Sequence, residues 1–189
     1  MNILILGNGG REHTFCWKLS QSAQQPKLFI APGNAGTAQL GTNIDINPTN
    51  LEAVATAVSS HAIDLILVGP EAPLVAGVHD HIANHPTLSH IPVIGPKKEA
   101  AQLEGSKAYA KAFMERHNIP TAPYKQFDMQ SLNDGLTYLE TIPAPYVLKA
   151  DGLAAGKGVL IIHELEKAKT ALIDMLVNKK FGAASEQVV

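Results

Sequence analysis

Residues 2–11 read NILILGNGGR: an unbroken apolar run, Asn2 to Leu6, that stops at Gly7-Asn8-Gly9-Gly10 and continues into Arg11. A run this short, apolar on both alternating faces and closed by glycines, predicts a central strand of a parallel sheet. The residues that follow extend the pattern. Arg11 to Ser20 places Phe15, Cys16 and Leu19 at helical spacing, and Lys27 to Ala31 predicts a second strand ending in Pro32-Gly33-Asn34-Ala35-Gly36. Thr49 to Ser60 puts Leu51, Val54, Ala55 and Val58 on one helical face, with Asn50 or Thr49 as its cap. Asp64 to Val68 (DLILV) repeats the opening run and enters Gly69-Pro70-Glu71-Ala72-Pro73. A helix over Leu74 to Ala83 and a strand over Ile91 to Ile94, closed by Gly95-Pro96, complete the series. Four strands alternating with helices predict an α/β fold with a doubly wound parallel sheet and right-handed crossovers.

Composition agrees. The chain has 189 residues, 46% hydrophobic but only 5% aromatic, so its core is aliphatic and suits helices layered on buried strands. Fifteen Lys and Arg against 17 Asp and Glu give a net charge of −2, which excludes nucleic-acid binding through bulk positive charge. A lone cysteine, Cys16, cannot form an internal disulfide and points to a reducing, cytoplasmic setting; it is expected in the core. No apolar run is long enough for a membrane span, and Gly7 to Arg11 interrupts the first run before signal-peptide length. His79, His81, His85 and His90 cluster in sequence but lack metal-ligand spacing, and solvated helix and loop positions are expected for them.

In a doubly wound sheet, ligands bind beyond the carboxyl ends of the strands. The loops expected there are GNGGR, PGNAG, GPEAP and GPKK, all rich in Gly or Pro, so backbone N–H groups can approach a ligand closely. The first opens a helix and is a natural anion site. A dinucleotide fits poorly: Gly7 and Gly9 match the start of GxGxxG, but Glu12 takes the third position and no acidic residue follows the second strand. An NAD-dependent enzyme therefore rests on two glycines alone. A smaller phosphorylated ligand is the better expectation, with Arg11 near its phosphate and Glu71 or Glu12 near a hydroxyl or amine. A sugar-phosphate- or nucleotide-binding module without catalysis is the alternative.

The second half begins with two helical pieces between Glu99 and His117, broken near Gly105, the second capped by Ser106 with Tyr109, Ala112, Phe113 and Arg116 on one face. A strand is expected from Tyr124 to Phe127, and a helix over Ser131 to Glu140 with Ser131 as cap. Tyr146 to Ile162 then reads strand, glycine-rich loop, strand, followed by a helix over Glu164 to Val177. Gly152, Gly156, Lys157 and Gly158 do not make a GxxxxGK[ST] loop, because the spacing differs and a strand follows. A glycine-rich hairpin of this kind is a flap over nucleotide phosphates, with Lys149 on the strand behind it as a point charge.

Six segments together resemble the phosphoribosylamine–glycine ligase (glycinamide ribonucleotide synthetase) family of the ATP-grasp superfamily. They are GNGGREH (7–13), PGNAGT (32–37), VGPEAPLVAGV (68–78), LEGSKAYAKAFM (103–114), IPTAPY (119–124) and KADGLAAGKGV (149–159). The resemblance implies a Rossmann-like pre-ATP-grasp domain over 1–102 that holds phosphoribosylamine. The contacts it implies are Asn8, Gly9, Gly10 and Arg11 at the phosphate, Gly33 and Asn34 beside them, and Glu12 and Glu71 toward the ribosylamine. It implies that 103–189 is the first, incomplete part of an ATP-grasp domain, with helices over 103–118 and a flap subdomain from about 121. ATP would be bound by Lys107, Lys149, Asp151, Gly152, Gly156, Lys157 and Gly158, and Val188-Val189 would enter the strand leading to the adenine hinge. It implies ATP and Mg²⁺ as cofactors, with no magnesium ligand within these residues, and a monomeric enzyme acting on small molecules, without nucleic acid or membrane. Since the family's hinge acids and Mg²⁺ ligands come after the position of Val189, the 189 residues alone are expected to make no product, with an apolar face exposed and partial disorder in their later half.

Overall fold

The computed structural model describes residues 1–153 and 157–189. The chain divides into two compact units, Met1–Ala101 and Gln102–Val189.

In the first unit, β1 (Asn2–Gly7) is the middle strand of a five-stranded sheet and is bordered on both sides by parallel partners. It pairs with β2 (Lys27–Pro32) on one side and β4 (Leu65–Val68) on the other. The edges are β3 (Thr42–Asn43) and β5 (Val93–Ile94), giving the order β3-β2-β1-β4-β5. β1 is apolar on both faces because both are covered. Leu4 and Leu6 pack with α2 (Leu51–Ser60), α3 (Glu71–Ala76) and α4 (Val78–Ala83) through Val54, Val58, Leu74, Val78 and Ile82. Ile3 and Ile5 pack with α1 (Gly10–Ser20) through Cys16, which is fully buried. Burial also pushes the Cys16 thiol up to about 11.

The sheet has one strand more than the four expected. Thr42–Asn43 is short and polar, so it carries no apolar signal; it joins the sheet by its backbone alone. The single helix expected over Leu74–Ala83 is two. Gly77 adopts φ +102, terminates α3 and begins α4, a conformation an L-residue enters only with strain. Asn50, rather than Thr49, caps α2 by accepting from the Ala53 N–H at 3.1 Å. His79 and His81 are not solvated as expected: His79 Nδ1 lies 2.6 Å from the Gly95 carbonyl, and His81 Nε2 is buried, facing Glu52 at 3.7 Å.

The second unit contains α6 (Lys107–Arg116), after α5 (Lys98–Gly105) in which the boundary falls. Then come α7 (Leu132–Thr141), the antiparallel hairpin β6 (Tyr146–Lys149) and β7 (Val159–Ile162), and α8 (Leu165–Leu176). Tyr146, Leu148, Leu160 and Ile162 turn one face of the hairpin onto Leu139, Leu172 and Leu176. The other face leaves Val147, Val159 and Ile161 exposed. The strand expected over Tyr124–Phe127 reduces to one bridge, Phe127 with Val188, whose backbone groups exchange bonds of 2.9 and 2.8 Å. Val188 also bridges Ala150, so the segment 187–189 runs beside β6, with Lys149 and Val189 exchanging two 2.8 Å bonds. Ser131 does not cap α7 with its side chain; it exchanges hydrogen bonds with Asp128, whose carboxyl those bonds hold below the usual carboxylate range. On α6 the buried residue is Ala108, one position off the face expected, and Phe113 lies against His117 instead.

Candidate functional site

In the first unit the chain order reverses between β1 and β4, and the loops leaving both strands meet there. Arg11 donates from Nη1 to the Gly69 carbonyl. Glu12, the third residue of α1, folds back and accepts from the Gly9 N–H at 2.6 Å, and its side chain is buried. This is half of a capping box, which satisfies one of the donors a helix start leaves unpaired. The carboxylate fills the space over two glycines: a Cβ on Gly7 would come within 2.6 Å of Glu12 Cδ, and one on Gly69 would strike the same carboxylate. Gly7 and Gly69 are therefore required by close approach, and Gly7 by its φ of +126 as well.

The third strand-end loop is fastened to the first. Asn34 Nδ2 donates to the Asn8 carbonyl at 2.9 Å, while its Oδ1 accepts from the Gly36 and Thr37 N–H groups. Thr37, which is buried, and Asn43, which is exposed, complete the network: Thr37 Oγ1 donates to Asn43 Oδ1 at 2.8 Å, and Asn43 Nδ2 donates to the Asn34 carbonyl at 2.9 Å. Gly33, at φ +75, leaves room for Asn43 beneath the loop.

Above this frame opens a cavity of about 480 Å³ at the carboxyl ends of β1, β2 and β4. Of the residues singled out from sequence, Asn8 lines it, and Glu71 stands between its wall residues Pro70 and Ala72. Glu12 lies in the packed wall. The opposite wall, Asp45 to Thr49, is not legible from sequence: it follows the two-residue strand β3 and has no glycine-rich signature. Gly7 and Asn8 are its lining residues from the loop that leads into α1, whereas Gly9, Gly10, Arg11, Gly33 and Asn34 do not line it. The first-turn amides and dipole of the adjoining helix favour an anion.

The second unit has its own cluster. Ser106 caps α6 by accepting from the Tyr109 N–H at 3.0 Å, and donates its hydroxyl to Asp151 Oδ2 at 2.9 Å. Asp151 Oδ1 accepts from the Ala108 N–H at 3.0 Å. Lys107 reaches the Gly152 carbonyl at 2.9 Å. Gly158 closes the hairpin by accepting from the Ala150 N–H, and Lys157 is exposed; Gly156 lies outside the described residues.

On the other side of β6, an apolar slot of about 340 Å³ is lined by Tyr124, Phe127, Val147, Leu148 and Val188, with Lys111 and Lys149 supplying cations. Lys111 was not among the expected site residues, although it lies one helical turn beyond Lys107. It donates to Thr121 Oγ1 at 2.7 Å and to the Ala122 carbonyl at 2.8 Å, and lies 5.4 Å from the centre of the Tyr124 ring. Burial first, and then the positive charge of Lys149, hold its ammonium below the ordinary lysine range. A slot with an apolar body and lysines at its side suits a planar base carrying phosphates. Among the described residues no three His, Cys, Asp or Glu side chains converge to hold a metal ion, and no helix is long and apolar enough to cross a membrane.

Comparison with known proteins covers both units. Residues 1–104 match the phosphoribosylglycinamide synthetase N domain, and residues 105–189 match the ATP-grasp (A) domain of the same synthetase. A phosphoribosylamine–glycine ligase of Yersinia pestis is 49% identical over all of this chain and 43% of its own length. The chain thus spans less than half the length of the curated relatives it matches. Among solved structures, the phosphoribosylamine–glycine ligase of Thermotoga maritima superposes with a TM-score of 0.75 at 32% identity, over 100% of this chain and 42% of that one. The N5-carboxyaminoimidazole ribonucleotide synthetase of Thermus thermophilus, at 20% identity and TM-score 0.64 over 98% of this chain and 45% of its own, shares the fold. With both units matched and every residue covered, the chain belongs to the phosphoribosylglycinamide synthetase family.

Proposed function

We propose that these residues provide the phosphoribosylamine site and the glycine-rich part of the ATP site of an enzyme that ligates glycine to 5-phosphoribosylamine. The observation that carries the reading is the strand-end cavity lined by Gly7 and Asn8, next to the loop that leads into α1 and among loops interlocked by hydrogen bonds. At this edge of the sheet, Asn8, Gly9, Gly10 and Arg11 hold the sugar phosphate, Gly33 and Asn34 stand beside them, and Glu71 meets the ribosylamine, with Glu12 behind. The first functional domain covers 1–102 and the second begins at 103. In the second, Lys107, Lys149 and Lys157 neutralise ATP phosphates, and Asp151, Gly152, Gly156 and Gly158 take part in binding ATP.

The chemistry needs no protein nucleophile. A carboxylate does not react with an amine until one oxygen becomes a leaving group. A glycine carboxylate oxygen attacks the γ-phosphorus of ATP, ADP departs, and the amine of phosphoribosylamine attacks the resulting acyl phosphate. The C–N bond forms, inorganic phosphate leaves, and the amine loses a proton, giving glycinamide ribonucleotide. What these residues contribute is positioning and charge neutralisation. Mg²⁺ would neutralise phosphate charge when bound; the described residues offer it no donor set, so no step is assigned to it. Small-molecule substrates, a cytoplasmic setting consistent with the free thiol of Cys16, and a monomer complete the proposal.

The test is thermal unfolding of the chain with ribose 5-phosphate, ATP·Mg²⁺ and NAD supplied separately, because a ligand that binds only the folded state raises its melting temperature. Stabilisation by the first two is expected. Stabilisation by NAD alone would overturn the reading.

A further inference from the structure

Asp151 carries more of the second site than a nucleotide contact would. Its carboxylate is committed on both oxygens, to the Ser106 hydroxyl and to the Ala108 N–H, 45 and 43 residues away in sequence. Its own N–H donates to the Gln187 carbonyl at 2.9 Å, so the residue is anchored on the backbone side as well. The two side-chain bonds fall on the cap and the second residue of α6. The residue between them is Lys107, whose ammonium reaches the carbonyl of Gly152, the next residue after Asp151. Two residues before Asp151 stands Lys149 at the end of β6.

We infer that Asp151 is a positioning residue: it pins the start of α6 to the root of the hairpin and so sets the distance between Lys107 and Lys149 to suit a polyphosphate. The inference rests on the ATP reading given above. Its physical basis is that an anion at a helix start is favoured by the dipole and by the unpaired amides, whereas two lysines tend to separate unless something holds their supporting elements together. Asp151 neutralises the helix end without neutralising either lysine's phosphate contacts, because its oxygens point at α6. The same carboxylate facing ATP directly would repel the phosphates.

The experiment measures ATP·Mg²⁺ affinity by calorimetry in the 189-residue chain, alongside urea stability. Asp151→Ala is expected to weaken ATP binding about tenfold, and Asp151→Asn, which keeps an acceptor for the Ala108 N–H, by less. Lys107→Ala should weaken binding similarly, and adding Asp151→Ala to it should weaken binding little further, since the aspartate acts through that lysine. A merely structural role would instead lower urea stability and multiply the two losses. If Asp151→Ala fails to fold, the Asp151→Asn and Ser106→Ala variants carry the same cycle. Unchanged affinity in Asp151→Ala, or fully multiplicative losses, overturns this inference alone. An unaltered chain that binds no ATP while ribose 5-phosphate still stabilises it overturns the nucleotide reading and this inference with it.

Discussion

Under the proposed function, the two candidate sites would meet one need, holding phosphate, by opposite means. In the first unit the frame is backbone: strand ends, glycines and a helix start, locked by hydrogen bonds that Arg11, Glu12 and Asn34 make with neighbouring loop backbone. In the second unit the charges are side chains, Lys107, Lys111 and Lys149, on elements that meet only because side chains such as Asp151 and Ser106 tie them across the sequence. On the proposed function, the difference would let a chain of net charge −2 hold two phosphorylated ligands. One site uses dipoles that do not count in the formal charge, and the other uses a few lysines in a fixed place.

The contrast can be broken at several points. The largest effect is expected where the backbone frame is anchored: Leu4→Ala, at a fully buried position on the central strand, should cost about 2–5 kcal/mol in urea unfolding. A loss below 1 kcal/mol would mean that β1 is not the keystone. Next, Lys149→Met should weaken ATP binding about tenfold or more, in line with losing a charge-assisted hydrogen bond, and leave ribose 5-phosphate affinity unchanged. Equal weakening of both ligands would dissolve the distinction between the sites. The mirror experiment is Gly69→Ala. Its added methyl strikes Glu12, so several-fold weaker ribose 5-phosphate binding with ATP affinity retained is expected by titration.

The smallest effect concerns Cys16. Its thiol is neutral in the fold, with its pKa raised to about 11 by burial, and an unfolded thiol ionises near 8.5. Its contribution is present in full below the unfolded value and is lost as pH rises through about 11. Urea stability should therefore fall over that window in the native chain and fall less in Cys16→Ala; identical profiles would show that the thiol is not protected.

The opening strand, the crossover helices and the hairpin were legible in the sequence because each has a periodic apolar face and a glycine or proline stop. Thr42–Asn43 was not, since a two-residue edge strand has no period; with it went the wall from Asp45 to Thr49. Gly77 lies inside an apolar run that otherwise reads as one helix, and only its backbone conformation shows the break. What Asp151 touches depends on Ser106 and Ala108, 45 and 43 residues away, and hydrogen bonds that long-range leave no local pattern in the sequence. Glu12 bonds locally to Gly9, but a carboxylate at the third position of a helix reads equally as a cap or as a ligand contact.

The packing of Glu12 over Gly7 and Gly69 has a consequence for how these positions can change. They form one unit of substitution. A larger residue at 69 must displace the glutamate, and shortening residue 12 leaves a hollow and an unpaired Gly9 amide. A mutational library that varies the three positions one at a time should find that most single changes weaken the first site, Gly69→Ala among them. Survivors from simultaneous variation should pair a small polar residue at 12 with a side chain at 69, so the loop is open to redesign only in concerted steps.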